Sequence, residues 1–299
     1  MDIRKAAVLG AGTMGAGIAA HLSNAGIPTL LLDIAPRELT PDEEKKGLTL
    51  ESPQVRNRIV DSLFAAAKKL KPAPFMLGDN AKLITTGNFT DDLAKIKDCD
   101  FVIEAVVENL DIKHKLFADV EKYRKPGAVI ASNTSGIPID SIAEPFSDDF
   151  KAHFVGIHFF NPPRYMKLVE VIPGSKTSGE IACGITGFLD QRLGKGVVPA
   201  KDRPNFIANR IGVFGMMATI HEMIAGGWTP TEVDQMTGKA IDVLKNNGKG
   251  FFLMVEGGRI DHALHNTNAA RALKDTVAFD DAVKAAIDKL QSLDPGLKN

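Results

Sequence analysis

Cysteine is scarce: Cys99 and Cys183 are the two in 299 residues, far apart and in no metal-binding or redox spacing. That excludes a disulfide scaffold and suits a reducing compartment, so the cytoplasm is the expected location. Charge of either sign is not in excess. Lys and Arg number 36 against 37 Asp and Glu, a formal net charge of -1. Without a global basic field, a nucleic-acid or anionic-membrane partner is not expected. No apolar run approaches the roughly 20 residues of a membrane span. The apolar N-terminal stretch is broken by glycines, which argues against a signal peptide. No internal repeat or low-complexity tract is visible. What remains is ordinary for a globular protein, with 44% hydrophobic and 24% charged residues and a length that suits two domains.

The most specific segment lies near the start. Ala6–Leu9 is a short apolar run, Gly10-x-Gly12-x-x-Gly15 follows, then a small-residue helix, and Asp33 closes the apolar run Thr29–Asp33. Each part has a task in holding a dinucleotide. Gly10 allows a tight turn, Gly12 lets backbone approach a pyrophosphate, and Gly15 lets helix and strand pack closely. The helix N-terminus offers free N–H groups to the phosphates. A carboxylate at Asp33 can accept from the adenosine ribose diol, which favours NAD over NADP. A glycine triplet alone is weak evidence; the whole strand–turn–helix–strand–acid unit is strong.

Further apolar runs at Phe101–Glu104 and Val129–Ala131 alternate with helical stretches. This grammar predicts an α/β fold, a Rossmann-type doubly wound parallel sheet. A helix is expected over Gln54–Lys71, stopped by Pro72 and Pro74. Its Lys68, Lys69 and Lys71 suit the negative end of a helix or, as the lesser reading, a phosphorylated substrate tail. Ser132-Asn-Thr-Ser135 follows a strand, where open sheets bind ligands. Ser135 could equally cap a helix over Ile137–Ala143. The stretch from Phe154 to Pro173 reads as two strands around Asn161-Pro-Pro163. A hairpin centred near Arg164 sets His158 opposite Glu170 on one face. An imidazole against a carboxylate supplies a proton acceptor and a group to fix its tautomer. Helices are expected over Phe206–Ala225 and Thr231–Leu244, parted by Gly226-Gly227.

The ordered motifs Gly10-Ala-Gly-Thr-Met-Gly15, Val102–Leu110, Ser132–Ser135, His158-Phe-Phe-Asn-Pro, Lys167-Leu-Val-Glu170 and Pro204–Arg210 together resemble the 3-hydroxyacyl-CoA dehydrogenases. The likeness is to the dehydrogenase part of bacterial multifunctional fatty-acid oxidation enzymes and covers roughly residues 1–241. It implies NAD as cofactor, a 3-hydroxyacyl-CoA substrate and oxidation at C3. His158 would be the general base and Glu170 would orient it. Ser135 and Asn209 would hydrogen-bond the substrate oxygen and the surroundings of the His. Gly10, Gly12, Thr13, Met14, Gly15, Asp33, Glu108, Lys113 and Ser135 would hold the cofactor, and Lys68 would meet a coenzyme A phosphate. Asn205 departs from the glycine common at its position, and Arg203 from the Thr often found there.

After Lys245 the character changes. Asn246–Gly250 is a breaker cluster, followed by a strand-like Phe251–Val255, then Glu256, Asp261 and His265. This part, about 246–288, resembles a fragment of alkaline phosphatases, in which the matching positions bind magnesium and zinc. Neither a serine-nucleophile segment nor the further His and Asp ligands accompany it, and too few ligands give at best adventitious binding, so no metal site is expected. The chain thus reads as a chimera: an NAD-binding domain over 1–200, a partial helical substrate and dimerisation domain over 201–245, and a phosphatase-like tail over 246–299. The resemblance implies a homodimer, whereas the altered C-terminus argues against one. Two further readings follow, an NAD-binding module without turnover and, behind it, a metal-dependent phosphatase activity from the tail.

Overall fold

Along the first strand, Ala6 and Val8 enter one hydrophobic cluster while Ala7 and Leu9 enter another. A strand buried on both faces needs helices on both faces, and the chain supplies them. The computed structural model describes residues 1–226, 233–244, 283–284 and 286–293. The chain divides into two compact units, Met1–Ile207 and Ala208–Asn299.

The first unit is built on strands β1 (Ala6–Leu9), β2 (Thr29–Asp33), β3 (Ile84–Asn88), β4 (Phe101–Glu104), β5 (Val129–Ser132), β6 (Phe154–Phe159), β7 (Leu168–Pro173) and β8 (Gly196–Pro199). They form one sheet in the order β3-β2-β1-β4-β5-β6-β7-β8. Pairing is parallel from β3 through β6; β7 runs antiparallel to β6, and β8 parallel to β7. The expected doubly wound fold is therefore present, with an antiparallel hairpin added at one side. Between β1 and β4 the strand order reverses, and ligands of such sheets bind beyond the strand ends there. One face is covered by Ile18, Ala19 and Leu22 of the helix Thr13–Asn24. The other is covered by Leu116, Phe117 and Val120 of the helix Leu110–Tyr123.

The insertion differs from the single helix expected over Gln54–Lys71. Two helices form, Pro53–Arg56 and Arg58–Ala67, broken at Asn57, and Lys68 is the C-cap of the second. Arg56 explains the first: its guanidinium spans Asp91, at 2.5 and 2.7 Å, and Glu51 at 3.1 Å. The helix after β5 is shorter than expected, Ile139–Ala143, with Pro138 as N-cap and the Asp202 carboxylate accepting from the N–H groups of Ile139 and Asp140 at 2.8 and 2.9 Å. Ser135 therefore does not cap it. Thr134 Oγ1 instead accepts from the N–H of Ile137 at 3.0 Å and so shapes the turn.

In the second unit the helices Ala208–Gly226 and Val233–Leu244 are described. The first begins two residues later than expected because Asn205 and Phe206 have positive φ, 63° and 47°. Gly227, Thr231, Glu232, the Asn246–Gly250 cluster, Phe251–Val255, Glu256, Asp261 and His265 lie outside the described residues. No described helix is long and apolar enough to cross a membrane.

His21, on the first helix, is 6% exposed, with Nε2 3.1 Å from the Leu193 carbonyl oxygen. Burial, helped by the Lys195 ammonium, pushes its titration from 6.5 down to about 4. The unfolded chain then holds this proton more tightly than the folded one. The stability contributed is complete above about pH 6.5 and is lost as pH falls through about 4. A His21→Gln variant is expected to lose about 3 kcal/mol less than the parent between pH 7 and pH 4, read by urea unfolding at both.

Candidate active site

The turn after β1 is shaped by what cannot be added to it. Gly10 has φ 104°, and a Cβ there would stand 2.6 Å from the Ala105 carbonyl oxygen, at the end of β4. A Cβ on Gly15 would stand 1.8 Å from the Gly10 oxygen. At Gly12 nothing lies within 4 Å of that position. Gly12 is also the N-cap of the helix Thr13–Asn24, with no side-chain cap and no acidic residue in the first turn. The positive end of this helix thus carries no side chain at its cap and has open space where one would stand, a fit for a pyrophosphate. Asp33 closes β2 and ties the turn down: Oδ2 accepts from Ala11 N–H at 2.6 Å and Oδ1 from Ile34 N–H at 2.7 Å.

At the end of β4 a second carboxylate does comparable work in full burial. Glu104 accepts from Lys113 Nζ at 2.7 and 2.8 Å, from Val106 N–H at 2.7 Å and from Ser132 Oγ at 2.6 Å. Lys113, 1% exposed, also reaches Glu108 Oε2 at 3.3 Å. Glu108 Oε1 accepts from Thr134 Oγ1 at 2.5 Å and from the N–H groups of Ser135 at 2.9 Å and Gly136 at 3.2 Å. Burial alone would raise the Glu108 titration. The Thr134 hydroxyl, the Lys113 ammonium and the Ser135 N–H together hold it below the usual carboxylate range. The network so joins the ends of β4 and β5 and presents one exposed carboxylate edge.

The antiparallel hairpin carries the third group. His158 pairs with Glu170 in register, and Nδ1 lies 2.7 Å from Glu170 Oε2. Both are buried, 4% and 1% exposed. With Glu170 ionised, Nδ1–H donates to it, which sets the tautomer and leaves Nε2 as the basic nitrogen. The rings of Phe160 and Phe206 lie 4.6 and 5.8 Å from the imidazole, centroid to centroid. Glu170 Oε1 accepts from Ile207 N–H at 3.0 Å. Presenting that N–H requires the left-handed pair Asn205 and Phe206. Asn tolerates this region, but a Phe there is strained by about 1–3 kcal/mol, held in place by burial of its ring. Asn133 Oδ1 accepts from Phe159 N–H at 3.0 Å and so links the loop after β5 to β6 beside His158.

The structure brings Glu108, Lys113 and Ser135 together, and separately His158 and Glu170, and the glycine turn with Asp33. Lys68 joins none of these groups; its ammonium lies 4.9 Å above the Phe64 ring. Asn209 stands in the first turn of Ala208–Gly226, in the second unit. Sequence reasoning missed Glu104 as a functional residue, although an acid ending an apolar strand is the same signal that marked Asp33. Thr134, Phe206 and Ile207 lie within the motifs Ser132–Ser135 and Pro204–Arg210, but their individual contacts were missed, because their partners are remote in the chain.

These features define a dinucleotide-binding domain with an adjoining imidazole–carboxylate pair. The family described as 3-hydroxyacyl-CoA dehydrogenase, NAD binding domain, matches residues 5–203. The chain belongs to that family, and its cofactor is NAD. A Bacillus subtilis protein named "Probable 3-hydroxyacyl-CoA dehydrogenase" is 56% identical over 239 residues, 80% of this chain and 30% of that protein. A Deinococcus radiodurans protein of the same name is 50% identical over 241 residues, 81% of this chain and 66% of that one. The chain thus spans less than a third of the first relative's length. The solved (S)-3-hydroxybutyryl-CoA dehydrogenase of Ralstonia eutropha is 29% identical, with a TM-score of 0.59 over 82% of this chain and 79% of that one. A second family, alkaline phosphatase, matches a short fragment, residues 211–295, which begins earlier than the 246–288 expected. Among the described residues no group of three or more His, Cys, Asp and Glu could hold a metal ion.

Lys113→Met would leave the Glu104 carboxylate buried without its cation and is expected to cost about 3–5 kcal/mol. Adding Glu104→Gln should recover most of that loss, as urea unfolding of the single and double variants will read.

Proposed function

We propose that this chain interconverts a 3-hydroxyacyl-CoA and the corresponding 3-oxoacyl-CoA with NAD, in a fatty-acid oxidation setting. The observation that carries the reading is the buried His158–Glu170 pair at 2.7 Å, in the same unit as a cradle suited to a dinucleotide. Bound NAD+ supplies the hydride acceptor. His158 Nε2 takes the proton of the C3 hydroxyl as that hydride leaves C3. Glu170 stabilises the imidazolium that results, and the Ile207 N–H holds Glu170 in line. In the reverse direction the imidazolium returns the proton to the oxyanion. Phe160 and Phe206 keep water from the ring, which strengthens the ion pair formed during the reaction.

In this reading Glu108 and Ser135 border the cofactor, with Lys113 holding Glu108 from beneath. Asp33, already accepting from the glycine turn, favours a free ribose diol over a phosphorylated one. Asn209 enters the reading through its motif alone, and Lys68 through the family resemblance alone. Two unpaired cysteines, Cys99 and Cys183, suit a cytoplasmic setting.

The test follows NADH oxidation with acetoacetyl-CoA. His158→Ala is expected to lower turnover by about 10²–10⁴ and Glu170→Gln by about 10², with NADH affinity retained in both. NADH binding without turnover in the unaltered chain would sink the dehydrogenase reading and leave a cofactor-binding module.

A further inference from the structure

Lys195 is a buried cation that the chemistry above does not use. It is 3% exposed, and its Nζ donates to the carbonyl oxygens of Pro163 and, at 2.8 Å, Met166. The Phe159 ring centroid lies 5.9 Å away. No carboxylate of the described residues pairs with it, and burial lowers its titration from 10.5 to about 8. A buried ammonium held by two carbonyls and a ring, with no carboxylate among the described residues, is an expensive arrangement for a structural role.

What it grips is the turn between the strands of the catalytic hairpin. β6 ends at Phe159 and β7 starts at Leu168, so Pro163 and Met166 belong to the connection that joins His158 to Glu170. On its other side this turn rests on the helix that begins at the dinucleotide cradle. A Cβ on Gly17 would stand 2.9 Å from Pro163 Cδ, so the proline ring already fills that space. One helical turn further, His21 meets the Leu193 carbonyl, two residues before Lys195. Lys195 itself is fixed from behind: its N–H donates to Leu189 O at 3.0 Å, and Gly194 at φ 65° turns the chain toward the hairpin.

We propose that Lys195 is a positioning residue that clamps the hairpin turn onto Gly17 of the cofactor helix and so fixes the catalytic pair relative to the cofactor. The proposal rests on the reading of His158 and Glu170 as the catalytic pair. Strand pairing alone sets His158 against Glu170; the clamp sets both against the dinucleotide helix. A positional error of about 1 Å between hydride donor and acceptor can cost about 10²-fold in rate.

Three variants test it: Lys195→Met, Gly17→Ala, whose added Cβ would crowd the Pro163 ring, and the double variant. Amide hydrogen exchange, NADH affinity and acetoacetyl-CoA turnover are read for each. The expected result is about tenfold faster exchange across residues 161–167 with β6 and β7 still protected. Turnover falls by at least about tenfold, NADH affinity shifts by less than about threefold, and the double variant is no worse than either single one. Unchanged exchange in the turn, turnover that survives, or effects that add in the double variant would overturn the proposal. Loss of NADH affinity matching the loss of turnover would overturn it too, by making Lys195 part of the cofactor site. If Lys195→Met does not fold, Gly17→Ala alone decides by the same readings. A parent chain that binds NADH without turnover fails as a dehydrogenase, while the exchange pattern still decides whether the clamp exists.

Discussion

The contact between Gly15 and the carbonyl of Gly10 is the constraint on which the rest depends. It allows the first helix to start against the end of β1, with no side chain between them. That closeness aims the helix N-terminus at the crevice where the strand order reverses. It also draws the turn against Ala105, and so against the loop that follows β4. Substituting either glycine would force backbone apart at the point where a pyrophosphate fits.

Around this crevice the chain places carboxylates at strand ends and gives each a different surrounding. Asp33 is half-buried and spends its oxygens on backbone N–H groups of the turn it faces. Glu104 is fully buried and neutralised by Lys113, so its role is to hold that lysine and the β5 loop in place. Glu170 sits on an added antiparallel strand and is divided between an imidazole and a backbone N–H. Asp33 differs from the other two in burial, and all three differ in partners, the kind of difference that sets apart what a carboxylate can do chemically.

The sheet and the hairpin register were legible because their signals are local. Alternating apolar runs, the glycine spacing and the near-symmetric placement of His158 and Glu170 about Arg164 needed no knowledge of distant contacts. Strands β3 and β8 were not legible: Ile84–Asn88 is mostly polar, and Gly196–Pro199 carries a glycine and a proline in four residues. Both are edge strands, where pairing rather than burial decides the conformation. The break at Asn57 and the left-handed Phe206 were hidden for a similar reason. Each is imposed by partners remote in sequence, Asp91 for Arg56 and Glu170 for Ile207. Lys195 carried no signal in the sequence, since the carbonyl oxygens that hold it, those of Pro163 and Met166, lie about thirty residues away in the chain.

The central claim is that hydride passes between NAD and C3 of an acyl-CoA in this unit. The most direct measurement is label transfer from NADH carrying deuterium at both positions of C4 of the nicotinamide to acetoacetyl-CoA, with the product read by mass spectrometry. The account predicts 3-hydroxybutyryl-CoA bearing deuterium at C3. Retention of all label on the nicotinamide, by a folded chain that binds NADH, would contradict it.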